Sequence, residues 1–325
     1  MKILFVMSGG HPVHMKFAES INAEIYKVKH NVEKKQFVLF KIINLLLNSF
    51  SIPSGYDVYI TESCFYYPAI KRKLGLLKGK IINLNSSPLQ YWMKTNRIKG
   101  IEKKTLQYLL DSINGQIFLG KKWQKELNWK KPSVVSYSFI SEENFETLSK
   151  IKPNLESKNI CIIASQDYYY KGLDLLIDSF KIVKKKYSES NLYVIGKINV
   201  PEEYQNVEGV HLLGRVDKIE EVFEKCSLYA HPARGECFAV SILEAMCAGL
   251  PVIVSEETGN CELFEEKHIT KLDIKDISSK IINYFEMDNK EKMKISKQNQ
   301  EISKKFKEEK IIIEFKTLFQ KLIGQ

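Results

Sequence analysis

The stretch Tyr229-Ala-His-Pro-Ala-Arg-Gly-Glu-Cys-Phe-Ala-Val-Ser-Ile-Leu-Glu-Ala-Met-Cys-Ala-Gly-Leu-Pro-Val-Ile-Val254 decides the fold. It opens as a short apolar run and passes through a polar loop marked by Pro232, Gly235 and Glu236. It then takes helical spacing from Val240 to Ala248 and returns to an apolar run behind Gly249 and Pro251. Short apolar runs separated by segments of helical period are the pattern of parallel strands covered by helices. The same rhythm extends along the chain on both sides of this stretch, and it occurs twice.

In the N-terminal half, strands are expected at Lys2 to Met7, Tyr56 to Thr61, Lys80 to Asn85, Gly115 to Leu119 and Ser133 to Tyr137. Helical segments begin near His14, Val38, Tyr67, Ile101 and Lys121. In the C-terminal half, strands are expected at Asn159 to Ala164, Asn191 to Ile195, Val210 to Leu213, Leu228 to His231 and Pro251 to Val254. Gly172 to Lys186, Lys218 to Lys225, Val240 to Ala248, Asn260 to Phe264 and Ile274 to Glu286 fit helices. The polar stretch Ser141 to Lys158, with Glu142, Glu143, Pro153 and Asn154, reads as a linker. The expected fold class is therefore α/β, with two Rossmann-like parallel-sheet domains facing a central cleft. Residues 1–150 form the first domain and 158–300 the second, with 301–325 a C-terminal helix available to pack back on the first.

A length of 325 residues fits two domains of about 150 each. With 44% hydrophobic and 27% charged residues, disordered and collagen-like chains are excluded. The net charge of +10 is uneven, because residues 1–157 carry +12 and the remainder −2. Lys71-Arg72-Lys73 and Lys121, Lys122 and Lys125, with Trp123 and Trp129 nearby, read either as a cationic surface for anionic lipid headgroups or as a solvated lysine-rich surface. No helix-turn-helix or aromatic RNA-binding motif accompanies the charge, so nucleic acid is not an expected partner. The six cysteines form no Cys-x-x-Cys pair and no cluster at zinc spacing, as expected of reduced cytoplasmic thiols. The apolar start Met1 to Val6 is too short for a signal peptide, and the window Phe37 to Ile52 is broken by Lys41, Asn44, Asn48 and Ser49, so no membrane span is expected.

Two glutamates lie eight positions apart, Glu236 in the loop and Glu244 within the helix. Both can face a ligand seated over the helix start, where the free N–H groups of Ala239, Val240 and Ser241 form an anion site. On these residues alone, a solvated loop glutamate and a solvated helix glutamate with no shared ligand is the competing reading. After the strand at Ser8, the loop Gly9-Gly10-His11-Pro12-Val13-His14 is not Gly-x-Gly-x-x-Gly, and no acidic residue follows to hold an NAD ribose. His11 and His14 are either acceptor-side groups or simple caps of the helix that follows.

Glu236, seven residues, Glu244, then Ala245-Met246 and Gly249-x-Pro251-Val252 is similar to the signature of the group 1 (family 4) retaining glycosyltransferases of the GT-B fold. That resemblance implies a nucleotide-sugar donor, with Glu236 on the donor sugar, Glu244 on the ribose, and Phe238 and the amides of Ala239, Val240 and Ser241 around the phosphates. Lys171-Gly172-x-Asp174-x-Leu176-Ile177 resembles a second segment of the family and makes Lys171 the clamp for the leaving diphosphate. The arginine usual a few residues earlier is replaced by Gln166 or Ser165, so Arg234 and Arg215 become the candidate substitute cations. Gly9 and Gly10 resemble the family's glycine loop near the donor phosphates, and Arg215-Val216 stands where relatives contact the nucleobase. The implied chemistry is retaining and metal-independent, with no Asp-x-Asp motif and no cofactor. The implied acceptor is a glycan or a lipid-linked molecule, served from the cytoplasm with peripheral contact to an anionic membrane. A catalytically weak relative that binds nucleotide sugars or partners another enzyme is the alternative, and a sugar-nucleotide epimerase is a more distant one.

Overall fold

The computed structural model describes residues 1–29 and 38–324, with the side chains of 38–41 and Gln166 also left aside. Phe37 of the apolar window lies outside the described residues. The chain divides into two compact units, Met1–Tyr137 with Ile311–Gln325, and Ser138–Lys310.

The first unit runs β1 (Ile3–Met7), α1 (Pro12–Ser20), β2 (Glu24–Lys27), α2 (Val38–Ser51), β3 (Val58–Glu62), α3 (Tyr66–Lys73), β4 (Lys80–Asn85), α4 (Leu89–Lys94), α5 (Gly100–Leu110), β5 (Gly115–Leu119), α6 (Lys121–Leu127) and β6 (Ser133–Ser136). The described strands pair in parallel in the order β2-β1-β3-β4-β5-β6. All five residues of β1, β3 and β5 are buried, as expected of strands covered on both faces. β2 is absent from the sequence expectation because its side chains are mostly exposed, so it has no apolar run to mark it.

The second unit contains α7 (Glu142–Leu148), β7 (Ile160–Ile163), β8 (Gln166–Asp167), α8 (Leu173–Lys186), β9 (Leu192–Ile195), β10 (Ile198–Asn199), β11 (Val210–Gly214), α9 (Glu220–Phe223), β12 (Leu228–His231), α10 (Val240–Cys247), β13 (Val252–Ser255), β14 (Ile269–Thr270), α11 (Ile274–Glu286) and α12 (Asn289–Ser303). Its main sheet is parallel, in the order β11-β9-β7-β12-β13-β14. Ile160, Ile162, Leu176, Ile177, Phe180 and Ile281 belong to a core of fully buried side chains between that sheet and helices α8 and α11. A last helix, α13 (Glu308–Gly324), crosses into the first unit at Ile311, where Phe315 stacks on Phe17 with ring centroids 4.2 Å apart.

Two boundaries differ from the sequence expectation. The units divide at Tyr137/Ser138 rather than across 150–158, because the supposed linker starts with a helix: Ser141 Oγ accepts the Asn144 N–H and caps α7. The C-terminal stretch is two helices joined by a turn at Lys304–Phe306, and only from Ile311 does it join the first unit. No helix among the described residues is long and apolar enough to cross a membrane.

In each main sheet the strand order reverses once, between β1 and β3 in the first unit and between β7 and β12 in the second. Ligand sites of such folds lie at these switch points, beyond the carboxyl ends of the strands. In the second unit the two sides of the switch are locked through backbone. Gly172 adopts φ +68°, and a Cβ there would stand 1.9 Å from the Pro232 carbonyl oxygen. Gly172→Ala is therefore expected to destabilise the protein by about 2–4 kcal/mol. Urea unfolding followed by circular dichroism measures this, and a loss under about 0.5 kcal/mol would show that the segments are not in register as described.

Candidate active site

The site of the second unit is built on the loop between β12 and α10, which is pinned along its length. Ser255 Oγ donates to the Ala233 carbonyl at 2.5 Å. The Arg234 N–H donates to Tyr170 O and the Gly259 N–H to Glu236 O, each at 2.8 Å. Ser138 Oγ donates to Phe238 O at 3.2 Å. A loop held in this way needs little reorganisation when charge develops against it.

Lys171 Nζ lies 2.6 Å from Glu236 Oε2, joining the two motifs that the sequence places 65 residues apart. His231, fully buried at the end of β12, lies with Nε2 3.3 Å from the same oxygen. Burial opposes ionisation of Glu236, but the Lys171 charge and the His231 hydrogen bond outweigh it, so the carboxyl is held well below its usual range. Burial keeps His231 neutral against the pull of Glu236. The hydrogen bonds then have one consistent direction. The Ile163 N–H donates to Tyr229 Oη at 3.2 Å, Tyr229 O–H donates to His231 Nδ1 at 3.3 Å, and His231 Nε2–H donates to Glu236. His231 and Tyr229 were not among the sequence candidates. Their only signal is a phenolic residue within, and an imidazole at the end of, an otherwise apolar strand.

Glu244 lies on α10, and the Asn144 side-chain N–H donates to its Oε1 at 2.7 Å. Asn144 comes from α7, the helix that the linker reading concealed. Burial raises the Glu244 pKa, and the Asn144 hydrogen bond only partly offsets it. The expected anion site at the start of α10 needs correction at one position. The Ala239 N–H is taken by Asn260 Oδ1 at 2.7 Å, and Asn260 Nδ2 returns a bond to the Ala239 carbonyl at 3.2 Å. Val240 and Ser241 occupy the first helical turn, where N–H groups have no carbonyl within the helix to bond. Phe238 is buried, its ring 5.8 Å from that of Phe306, which makes it a packing residue.

Of the two substitute cations, Arg234 is committed elsewhere. Its guanidinium makes a bidentate pair with Asp174 at 2.7 and 2.8 Å and lies 3.8 Å over the Tyr169 ring. Arg215, after β11, is exposed and takes no ion-pair partner among the described residues. Val216 beside it is half-buried. Gln166 begins β8, which pairs with β10, while its side chain lies outside what is described.

In the first unit, Gly9 and Gly10 follow β1, and their N–H groups both point to Glu62 Oε2, at 3.3 and 3.4 Å. His14 is buried in α1, with Nδ1 2.5 Å from Glu62 Oε1. His11 stands at the N-cap of α1 without a side-chain capping bond, exposed, its ring 5.0 Å from that of His14. Burial raises the Glu62 pKa, but the hydrogen bond and charge of His14 and the two glycine amides together carry it below the ordinary value. Glu62 was not among the sequence candidates, because the expected strand stopped at Thr61.

A half-buried carboxylate–lysine pair thus stands at the switch point, with a second glutamate on the following helix. Residues 144–302 match the model of the family described as glycosyl transferases group 1. These residues carry a group 1 glycosyltransferase domain, and the chain has the GT-B fold. It is 21% identical to an uncharacterized glycosyltransferase of Haemophilus influenzae over 97% of this chain and 90% of that protein. It is 26% identical to the N,N'-diacetylbacillosaminyl-diphospho-undecaprenol alpha-1,3-N-acetylgalactosaminyltransferase of Campylobacter jejuni, over 52% of this chain and 46% of that one. Among solved structures, Anabaena Alr3699/HepE in complex with UDP and glucose superposes with a TM-score of 0.66 at 16% identity, covering 99% of this chain and all of that one.

The raised pKa of Glu244 has a definite sign. A carboxyl that ionises less readily in the folded state costs stability increasingly as pH rises from its ordinary value near 4.5. Glu244→Gln keeps the acceptor for Asn144 and removes the charge. The melting temperature of this variant should therefore gain on wild type between pH 4.5 and 7.5, as scanning fluorimetry measures; parallel curves would mean that Glu244 is not held off ionisation.

Proposed function

We infer that this protein is a retaining glycosyltransferase that moves a sugar from a nucleotide-sugar donor to a glycan or lipid-linked acceptor. The ionised Glu236, paired with Lys171 across the switch point, carries this reading. In the proposed mechanism Glu236 orients the donor sugar, Glu244 holds the ribose, and the amides of Val240 and Ser241 face the phosphates. As the glycosidic bond breaks, positive character grows on the sugar ring and negative charge on the leaving diphosphate. Lys171 then shifts its ammonium from Glu236 toward that diphosphate, with Arg215 as second cation, and the phosphate oxygen takes the acceptor proton. Charge neutralisation by these residues requires neither a metal nor a bound cofactor.

The activity for which the Campylobacter relative is named, on a diphospho-undecaprenol-linked sugar, supports a lipid-linked acceptor. So does a surface of the first unit. Ile42, Ile43, Leu46, Leu47 and Phe50 are exposed along one stripe of α2. α3 packs on both α2 and α5, adding exposed Leu74, Leu76, Ile101 and Tyr108 with Lys73, Lys78 and Lys104 beside them. An apolar stripe with lysines around it suits peripheral docking on an anionic membrane, and the six free cysteines suit its cytoplasmic face. The alternative, a donor-binding relative with little turnover, draws on the commitment of Arg234 to Asp174.

A thermal-shift panel of UDP-, GDP- and ADP-sugars without added metal tests the reading. A ligand that binds only the folded state must raise the melting temperature. One base should give a shift that Glu244→Ala abolishes, and UDP-glucose comes first because the HepE structure holds UDP and glucose. Silence from every donor at millimolar concentration would overturn the reading. With the donor so chosen, Glu236→Gln is expected to slow nucleotide release about 100-fold. Binding without any release in the wild type would favour the low-turnover alternative.

A further inference from the structure

A cavity of about 330 Å³ lies in the first unit, lined by α4, by the end of α5 and by the turn between α6 and β6. Leu110 and Asp111 lead toward β5, and Asn128 to Lys131 lead into β6, so both turns reach their strands at the amino ends. The switch-point sites of such folds lie beyond the carboxyl ends instead. The cavity is therefore separate from the site described above, and none of its lining residues belongs to the second unit.

The buried part of its lining is apolar except at one residue. Met93 and Leu110 are 4% and 5% exposed, and Gln90, the exception, is 5% exposed. Gln90 is fixed from behind by polar side chains that run across three neighbouring strands. Thr61 Oγ1 donates to Asn83 Oδ1 at 3.0 Å, and Asn83 Nδ2 donates to Gln116 Oε1 at 3.3 Å. Gln116 and Gln90 then exchange two amide hydrogen bonds, at 2.6 and 3.1 Å. These bonds set the orientation of the Gln90 amide and leave it one N–H without a partner among the described residues. A buried N–H with nothing to bond is costly, so this one is available to an acceptor placed in the cavity.

The mouth carries the charge. Lys94, Lys103, Lys130 and Lys131 line it, and each ammonium donates to a neutral oxygen. Lys94 bonds the Glu126 carbonyl, Lys103 the Asn96 side chain at 2.7 Å, Lys130 the Asn128 side chain at 2.8 Å, and Lys131 the Ile113 carbonyl at 2.9 Å. Among the described residues none of the four has a carboxylate at ion-pair distance: the Glu126 carboxylate goes to Lys122, and Asp111, the one acid of the lining, accepts from Gln107 at 3.0 Å. Partial desolvation lowers the Lys131 pKa, and Lys73 and Arg72 add to this against the attraction of Asp111. Four positive charges facing one negative charge across a concave surface focus a field that draws in anions. The half-buried Trp129 adds an aromatic wall. Donors without matching acceptors suit a phosphate, while Met93, Leu110 and Trp129 suit an organic part. The volume, near the lower end of ligand pockets, suits a small one. A bilayer surface would satisfy the lysines without reaching Gln90.

We propose that this cavity is a binding site for a small phosphate ester, its phosphate held among Lys94, Lys103, Lys130 and Lys131 and its organic part bonded by the spare Gln90 N–H. The site stands apart from the glycosyltransferase reading and from the apolar stripe of α2. Fluorine nuclear magnetic resonance on the full chain with 5-fluorotryptophan tests it. The chain has three tryptophans, and the Trp129 signal is assigned by its loss in Trp129→Phe. The probes are glycerol 3-phosphate, glucose 6-phosphate, inorganic phosphate, glucose and phosphatidylglycerol vesicles. At least one ester is expected to shift the Trp129 signal saturably and to bind more tightly than inorganic phosphate, with glucose inert. Lys103→Gln combined with Lys130→Gln should weaken that ester about tenfold or more, and Asp111→Asn should tighten it about twofold to threefold. These three side chains bond only to surface groups, and an unchanged ligand-free spectrum verifies that the variants fold. No shift with either ester at millimolar concentration, an equal response to inorganic phosphate or glucose, or a response to vesicles in place of the esters would each overturn the proposal. So would ester binding that the lysine and Asp111 variants leave unmoved. The nucleotide-sugar thermal shift is read on the same samples, and its outcome is independent of this one.

Discussion

Glu236 can be a carboxylate in its partly covered loop because an ammonium stands 2.6 Å away. Removing an anion from water is costly, and one cation with additional hydrogen bonds is what makes it tolerable. The cation comes from a different βα junction, so the pair exists only if the two junctions hold a fixed separation. Gly172 and the Pro232 carbonyl set that separation, at a distance no side chain could share. His231 and Tyr229 then complete the arrangement from the end of β12 without adding charge. The consequence is a polar site in which carboxylate and ammonium are already paired and held in place.

The two units solve the same problem differently. Each sheet reverses its strand order once, each places a glutamate at the reversal, and each satisfies that glutamate from the neighbouring junction. In the second unit the main partner is an ammonium and in the first an imidazole with two backbone amides. The basic excess of residues 1–157 also looks different once the structure is known. Lys71 donates to the Ile52 carbonyl, Arg72 to those of Ser112 and Gly79, Lys80 to Ile323 and Lys131 to Ile113. Trp123, expected at a cationic surface, is buried with its ring 4.7 Å from that of Tyr91. Part of the positive charge therefore ties loops together through backbone carbonyls.

What the sequence by itself determined is the local part. Apolar runs at β1, β3, β4, β5, β7, β12 and β13 and the helical period between them fixed a parallel α/β architecture, and the spacing of Glu236, Glu244 and Gly249-x-Pro251 carried the family resemblance. Elements without an apolar signal were illegible: the exposed edge strand β2, the two-residue strands, and α7, whose cap at Ser141 was the one available clue. Only the tertiary structure decided which polar groups meet. Lys171 with Glu236, Asn144 with Glu244, His14 with Glu62 and Arg234 with Asp174 are partners 48 to 100 residues apart. A periodicity reports on which face a residue lies, because burial repeats with the turn of a helix or the pleat of a strand. It holds no information on which distant junction stops beside it, and that is set by strand order and the packing of whole layers.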